Sequence, residues 1–231
     1  MLVRCNNRQE EPCAPFSIFL RDHDMTQIVQ IQLESDYSLI TMDDAKANAL
    51  SFEMLSQLNE ALDKAEEAGK PVVICGRPGK FSAGFDLSVM GQGGDAMVDL
   101  LTRGSVLSRR LLKFDTPVIM AASGHALAMG ALLLLSVDYR IGIHGEYKLG
   151  LNEVAIGMTL PWFGIELARA RLADTHLQCA TALAQVYDST GAVAAGYLDE
   201  AVDADALLPR ATALATQLSA LDMTAHTNTK A

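Results

Sequence analysis

The chain has 231 residues, of which 50% are hydrophobic, and its formal net charge is −10. This length and composition predict one large domain, or one domain with a helical appendage, around a sizeable core. The negative charge argues against a general affinity for nucleic acids, because binding to phosphates requires clustered lysine and arginine residues.

The sequence also carries signals about compartment. The longest apolar stretch, from Ala121 to Val137, is interrupted by polar residues and is shorter than the roughly 20 residues of a membrane span, which favours a buried helix and no membrane contact. Residues 1–24 lack the apolar region of a secretory signal and are interpreted as an N-terminal arm or extension. The four cysteines are widely spaced, as expected for reduced thiols in a cytoplasmic protein.

The first predicted elements are a β-hairpin and a helix. Alternating apolar residues between Ile28 and Met42 are typical of two strands joined by a turn. Ser51 is a favourable N-cap for the helix that follows, and Gly69 with the nearby Pro71 ends it. The strands, loops and helices that come next alternate as in a parallel α/β sheet with right-handed crossovers.

Two glycine-containing loops follow predicted core strands. Lys80–Leu87 comes after the strand Val72–Cys75, and Ser123–Gly130 comes after the strand Val118–Ala122. A helix-like run follows each loop, so both leave peptide N–H groups without intrahelical acceptors. Two adjacent strand ends are therefore expected to direct free N–H groups at one point, where they could stabilise a negatively charged oxygen.

Such a site needs an acid or base, and Glu153 is the candidate. It lies in the apolar segment Leu149–Gly157, where burial would raise the pKa of its carboxyl group toward neutrality. An exposed loop carboxylate is the alternative interpretation. His125 is a further candidate base by residue type, but we expect it to point into the interior near the strand end.

The two loops and the Glu153 segment resemble those of the crotonase (enoyl-CoA hydratase/isomerase) superfamily. Lys46–Ser51 and Asp138–Arg140 complete the pattern in the family's order, and the resemblance extends from about Gln27 to the end of the chain. It implies an α/β fold with a crotonase-like ββα spiral core in residues 25–160. Residues 161–231 would form a C-terminal helical region for trimerisation, so the resemblance also implies a homotrimer or homohexamer.

The resemblance assigns roles to individual residues. The backbone N–H groups of Phe85 and Met129 would form an oxyanion hole, with Glu153 as the catalytic base. The substrate would be a coenzyme A thioester, with no permanently bound cofactor and no metal. The residues implied in binding coenzyme A are Lys46, Ala47, Ala49, Ala83 and Phe85.

The number of glutamates separates the possible reactions. Hydratases of this family use two, whereas this chain has Leu132 at the first position and Glu153 at the second. Water addition profits from two carboxylates, while moving a double bond requires one base that takes a proton from C2 and returns it to C4. This pattern resembles Δ3,Δ2-enoyl-CoA isomerases. The alternatives are an enoyl-CoA hydratase, another crotonase-type acyl-CoA lyase or hydrolase, and a catalytically inactive CoA-binding subunit.

Overall fold

The computed structural model describes residues 27–230, so the predicted arm, residues 1–24, lies outside the described residues. The strands are β1 (Val29–Leu33), β2 (Ser38–Met42), β3 (Val72–Cys75), β4 (Gly79–Ser82), β5 (Val118–Ala122), β6 (Gly124–Leu127), β7 (Tyr139–Ile143), β8 (Leu149–Gly150) and β9 (Glu200–Val202). The helices are α1 (Phe52–Ala68), α2 (Leu87–Met90), α3 (Gly94–Leu112), α4 (Met129–Leu135), α5 (Trp162–Arg171), α6 (Asp174–Ala180), α7 (Ser189–Ala195), α8 (Leu207–Leu218) and α9 (Met223–Lys230). Within this range each helix is too short or too polar to cross a lipid bilayer.

The strands of residues 27–230 form two sheets. The larger sheet has six strands in the order β1-β2-β3-β5-β7-β9, with β1 antiparallel to β2 and the other neighbours parallel. The smaller sheet has the order β4-β6-β8 and is parallel throughout. The predicted hairpin between Ile28 and Met42 is confirmed by the pairing of β1 with β2.

Local capping sets the bounds of α1 as the sequence predicts. The Ser51 hydroxyl accepts a hydrogen bond from the Met54 N–H at 3.1 Å, which satisfies one of the free donors of the first turn. At the other end Gly69 adopts a left-handed conformation with φ of 63°, and its N–H donates to the Ala65 and Glu66 carbonyls.

The larger sheet is covered on both faces. Successive side chains of a strand point to opposite faces, so Val72 and Ile74 of β3 join one hydrophobic cluster, whereas Val73 and Cys75 join another. The first cluster includes residues of α1, α3 and α4, and the second includes residues of α8. Burial on both faces explains why the strand reads as an uninterrupted apolar run.

The prediction that Lys80–Leu87 and Ser123–Gly130 are only loops is wrong, because each contains part of a strand of the smaller sheet. β4 and β6 are parallel, with Gly79 opposite Gly124. A Cβ atom at Gly124 would collide with the Gly79 backbone, so this close approach requires glycine. Two short strands rich in glycine and polar residues carry no alternating pattern that would reveal them.

The C-terminal region is mainly helical, as expected, but it also supplies a strand of the larger sheet. β9 pairs in parallel with β7. The buried Arg140 at the start of β7 holds Asp199 through two bonds, Nη2 to Oδ1 at 2.6 Å and Nε to Oδ2 at 2.8 Å. This bidentate pair fixes the position of Asp199, the residue just before β9. At the end of the described chain, Lys230 of α9 forms an ion pair with Asp138 at 2.7 Å.

Candidate active site

The smaller sheet brings the three predicted catalytic positions to one edge. Parallel strands have their carboxyl ends on the same side of a sheet, and ligands bind in the crevice outside those ends. Phe85, Met129 and Glu153 each follow one of the strands β4, β6 and β8 within three residues. β6 is the central strand, so the Met129 position lies between the other two.

The two predicted oxyanion loops, which follow β4 and β6 and carry Phe85 and Met129, touch through their backbones. Gly84 has φ of 91°, and a methyl group on it would lie 2.8 Å from the Ala128 Cβ and 3.2 Å from the Met129 nitrogen. A methyl group on Gly130 would lie 2.5 Å from the Ser82 carbonyl oxygen. Only glycine at these two positions allows such an approach. The contact places the Phe85 and Met129 loops side by side.

The N–H groups of Phe85 and Met129 are unpaired within the described residues, and Met129 itself is fully buried. Within residues 27–230 neither donates a hydrogen bond. The Leu50 N–H donates to the Gly84 carbonyl, and the Leu50 carbonyl accepts from the Asp86 N–H, so that Leu50 and Phe85 form a parallel β-bridge. The Phe85 N–H is therefore directed away from Leu50. Met129 is the first residue of α4, where an N–H has no intrahelical acceptor.

The side chains of Phe85 and Met129 pack against α3. A methyl group at Gly104 of α3 would collide with the Phe85 ring and lie 3.3 Å from the Met129 Cε. The two side chains therefore meet at a gap that Gly104 leaves in the helix surface. Sequence reasoning missed Gly104, because a glycine inside a helix pattern signals only weak helix propensity.

Glu153 is buried and incompletely bonded. Its residue is 7% exposed, and its buried Oε2 atom has no hydrogen-bond partner within residues 27–230. Burial disfavours the charged carboxylate and raises the pKa of Glu153 from 4.5 to about 7. Such a carboxyl group can both accept and return a proton near neutral pH. The adjacent Asn152 also has a buried side-chain oxygen, Oδ1, without a partner there.

Glu153 faces a cavity of about 470 Å³. The lining residues are Ala83, Phe85, Leu87, Met90, Met97, Leu101, Leu127, Ala128, Asn152, Glu153, Ile156, Met158, Thr159 and Pro161. Among these described residues, Glu153 alone has an ionisable side chain. The cavity therefore combines an apolar wall, the edge of both oxyanion loops and a single carboxyl group.

The residues predicted to bind coenzyme A divide into two groups. Ala83 and Phe85 line the cavity, whereas Lys46, Ala47 and Ala49 lie outside it on the segment between β2 and α1. This segment adjoins the first loop, because the Ala83 N–H donates to the Ala47 carbonyl at 3.0 Å. The coenzyme A role of all five residues stays a prediction.

Asn48 ties that segment to the first oxyanion loop, a role that sequence reasoning missed. It is fully buried with φ of 50°, a left-handed conformation that asparagine tolerates better than most residues. Its side-chain amide donates to the carbonyls of Met42, Lys80 and Phe81 at 2.9–3.3 Å. Its own carbonyl accepts from the Ser82 hydroxyl at 2.8 Å, and this hydroxyl accepts from the Gly84 N–H at 3.2 Å.

Leu132 and His125 lie outside the lining of the cavity. Leu132 is fully buried on α4, and a methyl group at Gly164 of α5 would lie 3.0 Å from its Cδ1 atom. The His125 Nδ1 atom accepts a hydrogen bond from the Lys148 N–H at 2.9 Å. Burial, together with Lys80 and Lys148, lowers the pKa of His125, which favours its neutral form. Across residues 27–230 no group of three or more His, Cys, Asp or Glu side chains is placed to hold a metal ion.

Comparison with known proteins decides the family. A sequence model described as "Enoyl-CoA hydratase/isomerase" matches residues 34–231. The chain belongs to the enoyl-CoA hydratase/isomerase family. A crystal structure of a family member from Pseudomonas syringae is 43% identical with a TM-score of 0.87, covering 89% of this chain and 90% of that one. The predicted family and the crotonase-like α/β fold are thereby confirmed.

Similar structures in this family carry both activity names. An enoyl-CoA hydratase from Mycobacterium ulcerans is 40% identical with a TM-score of 0.85, covering 88% of this chain and 90% of that one. An enoyl-CoA isomerase from Mycobacterium tuberculosis is 39% identical with a TM-score of 0.86, covering 89% and 90%. Overall similarity therefore does not separate the two activities.

Among curated relatives, the human peroxisomal bifunctional enzyme is 36% identical over 130 residues. The match covers 55% of this chain and 17% of the relative. This chain thus spans less than two thirds of the length of that enzyme.

We expect Asn48→Ala to destabilise the protein by at least about 3 kcal/mol, because the substitution removes the side-chain donor to the carbonyls of Met42, Lys80 and Phe81. Asn48→Gly is the control, since glycine tolerates the positive φ but also lacks the amide. Urea unfolding of both variants separates lost hydrogen bonds from backbone strain. If Asn48→Gly is as stable as the wild type, the hydrogen bonds contribute nothing.

The raised pKa of Glu153 predicts a pH-dependent difference in stability. Below pH 4.5 the carboxyl group is protonated in the folded and unfolded chain alike. As the pH rises from 4.5 to about 7, the unfolded chain ionises first, so the free energy of unfolding falls. Glu153→Gln stays neutral, so it should be more stable than the wild type by about 3 kcal/mol at pH 8 and by less than about 1 kcal/mol at pH 5. Urea unfolding at both pH values measures this difference. An equal difference at both would show that folding leaves this pKa unchanged.

Proposed function

We propose that this chain is a Δ3,Δ2-enoyl-CoA isomerase. The observation that carries the proposal is the cavity beside the two oxyanion loops, in which Glu153 is the one ionisable side chain among the described lining residues. Its carboxyl group is buried with one oxygen unpaired, as suits a base that acts inside an apolar pocket. Leu132, which stands where the family's hydratases have a second glutamate, lies outside the cavity lining.

The proposed reaction is a proton transfer between two carbons of the acyl chain. The thioester oxygen accepts hydrogen bonds from the N–H groups of Phe85 and Met129. The Glu153 carboxylate removes a proton from C2 of a 3-enoyl-CoA, and the electron pair moves into the thioester to form a dienolate. The same carboxyl group returns the proton to C4, which leaves the double bond between C2 and C3. Each oxyanion donor contributes about 3 kcal/mol in comparable sites.

The remaining parts of the proposal concern the carrier and the assembly. Coenzyme A would run from the cavity past Ala83 and along the segment that contains Lys46, Ala47 and Ala49. The contact between Ala83 and Ala47 supports this course, because it places the segment beside the thioester end of the cavity. We propose a homotrimer or homohexamer with contacts through residues 161–231.

The decisive experiment offers the protein 3-enoyl-CoA and 2-enoyl-CoA in separate assays. We expect migration of the double bond in the first to be faster than hydration of the second, since one carboxyl group serves a proton shuttle but not the positioning of water. Absorbance of the conjugated thioester follows both reactions. Faster hydration than isomerisation would make the protein a hydratase and refute the proposal.

Glu153→Gln should lower kcat for isomerisation by about 10²–10⁴-fold, the usual contribution of a general base. The amide fills the same space, so the Kd for a saturated acyl-CoA should change by no more than about twofold. In the wild type, kcat/KM should rise with pH through about 7 and level off above it, because the base must be ionised. Full activity in Glu153→Gln would remove Glu153 as the base.

Substitutions at the oxyanion positions should distinguish backbone from side chain. Met129→Pro removes the N–H at the first residue of α4 and should lower kcat by about 10²–10³-fold, with circular dichroism to verify that the variant is folded. Phe85→Ala and Met129→Ala retain the N–H groups and should keep most of the activity apart from repacking losses at Gly104. If both alanine variants fold, bind acyl-CoA and are as inactive as Glu153→Gln, the side chains perform the chemistry instead.

A further inference from the structure

A recess in the surface of α3 holds the tip of the Phe85 side chain. The recess lies at Gly104, a buried residue of the helix. A methyl group added at Gly104 would collide with the Phe85 Cζ atom and lie 2.6 Å from its Cε1 atom. The ring therefore occupies the space that any larger residue at this position would fill.

The same face of α3 forms part of the wall of the catalytic cavity. Met97 and Leu101 line the cavity, and Gly104 follows Leu101 by three residues, so the three positions share one face of the helix. Phe85 lines the cavity as well. Its ring thus belongs to the cavity wall, while the tip of the ring lies against Gly104.

The open space beside the Phe85 ring is the catalytic cavity. On another side of the recess lies Met129, which is fully buried and whose Cε atom would be 3.3 Å from a methyl group at Gly104. The backbone of Phe85 is confined too, because the preceding Gly84 lies in close contact with Ala128 of the neighbouring loop. The ring itself is only partly buried and borders a cavity of about 470 Å³. A ring forced out of the recess would therefore turn into the cavity, since a side-chain rotation disturbs less packing than a shift of the loop.

We propose that Gly104 determines how large an acyl group the catalytic cavity accepts, because it keeps the Phe85 ring out of the cavity. Gly104 acts through Phe85 and is a positioning residue. The inference rests on the proposed function for the identity of the ligand as an acyl-CoA, but it concerns binding and not turnover. A side chain at position 104 would exclude part of a longer acyl chain and leave the N–H groups of the oxyanion loops in place.

The test compares the Kd of octanoyl-CoA with that of acetyl-CoA, by calorimetry, in the wild type and in Gly104→Ala. Each buried methylene increases affinity by about fourfold, so a ring that displaces two of them should weaken octanoyl-CoA binding by at least about tenfold. Acetyl-CoA carries only a methyl group beyond its carbonyl, and its Kd should stay within about twofold of the wild-type value.

Gly164→Ala is the matched control. It adds the same methyl group to a buried helical glycine, in α5, where the group would meet the side chains of Leu132 and Leu160. Neither leucine is among the described residues that line the catalytic cavity. This variant should keep the wild-type ratio of the two Kd values.

Phe85→Leu supplies a rescue, because leucine lacks the Cζ and Cε1 atoms that a methyl group at Gly104 would meet. Adding Gly104→Ala to Phe85→Leu should leave the Kd of octanoyl-CoA within about twofold of that of Phe85→Leu alone. It should also raise the Tm, since alanine is a better helix former than glycine, whereas Gly104→Ala in the wild-type background should lower the Tm. The comparison with Phe85→Leu remains decisive even if Gly104→Ala alone does not fold.

The proposal is wrong if Gly104→Ala binds octanoyl-CoA as tightly as the wild type does, or if it weakens the binding of both ligands alike. It is also wrong if Gly104→Ala still weakens octanoyl-CoA binding or lowers the Tm when combined with Phe85→Leu. A selective loss of octanoyl-CoA binding in a protein that isomerises no 3-enoyl-CoA would uphold the role of Gly104 and refute the proposed function. Isomerisation by the wild type, together with an unchanged Kd ratio in Gly104→Ala, would refute only the role of Gly104.

Discussion

The candidate site depends on the backbone contact between the loops that follow β4 and β6. Gly84 and Gly130 allow these loops to approach so closely that an added methyl group on either would press into the opposite strand or loop. The contact brings the two loops that carry the Phe85 and Met129 N–H groups side by side. Fixed backbone dipoles require little reorganisation when charge develops on a bound oxygen, which is why such donors are effective in catalysis.

The same small sheet explains how Glu153 comes to lie near these loops. β8 pairs with β6, and the Ala128 N–H donates to the Gly150 carbonyl at 3.0 Å, just before the chain turns toward Glu153. The register of the sheet thus holds Glu153 in place, and burial raises the pKa of its carboxyl group. Burial of this carboxyl group opposes folding at high pH, so stability and proton transfer make opposite demands on one residue.

Features that depend on interactions between neighbouring residues can be predicted from the sequence, whereas contacts between residues distant in sequence cannot. Ser51 and Gly69 predict the ends of α1 because capping is local, and the loop pattern with Glu153 indicates the family. β4 and β6 were not predicted, because these short strands lack an alternation of apolar and polar residues. They pair instead through a close backbone contact between Gly79 and Gly124. Asn48 and Gly104 act on residues distant in sequence, so nothing in their own neighbourhoods reveals those partners.

The proposed mechanism requires that two backbone N–H groups polarise one thioester carbonyl beside Glu153. Infrared spectroscopy of octanoyl-CoA labelled with ¹³C at the thioester carbonyl tests it directly, because hydrogen bonds weaken the C=O bond and lower its stretching frequency. We expect the frequency of the bound ligand to fall below that of the same ligand in water. An unchanged or higher frequency in the bound state would contradict the oxyanion hole and the mechanism built on it.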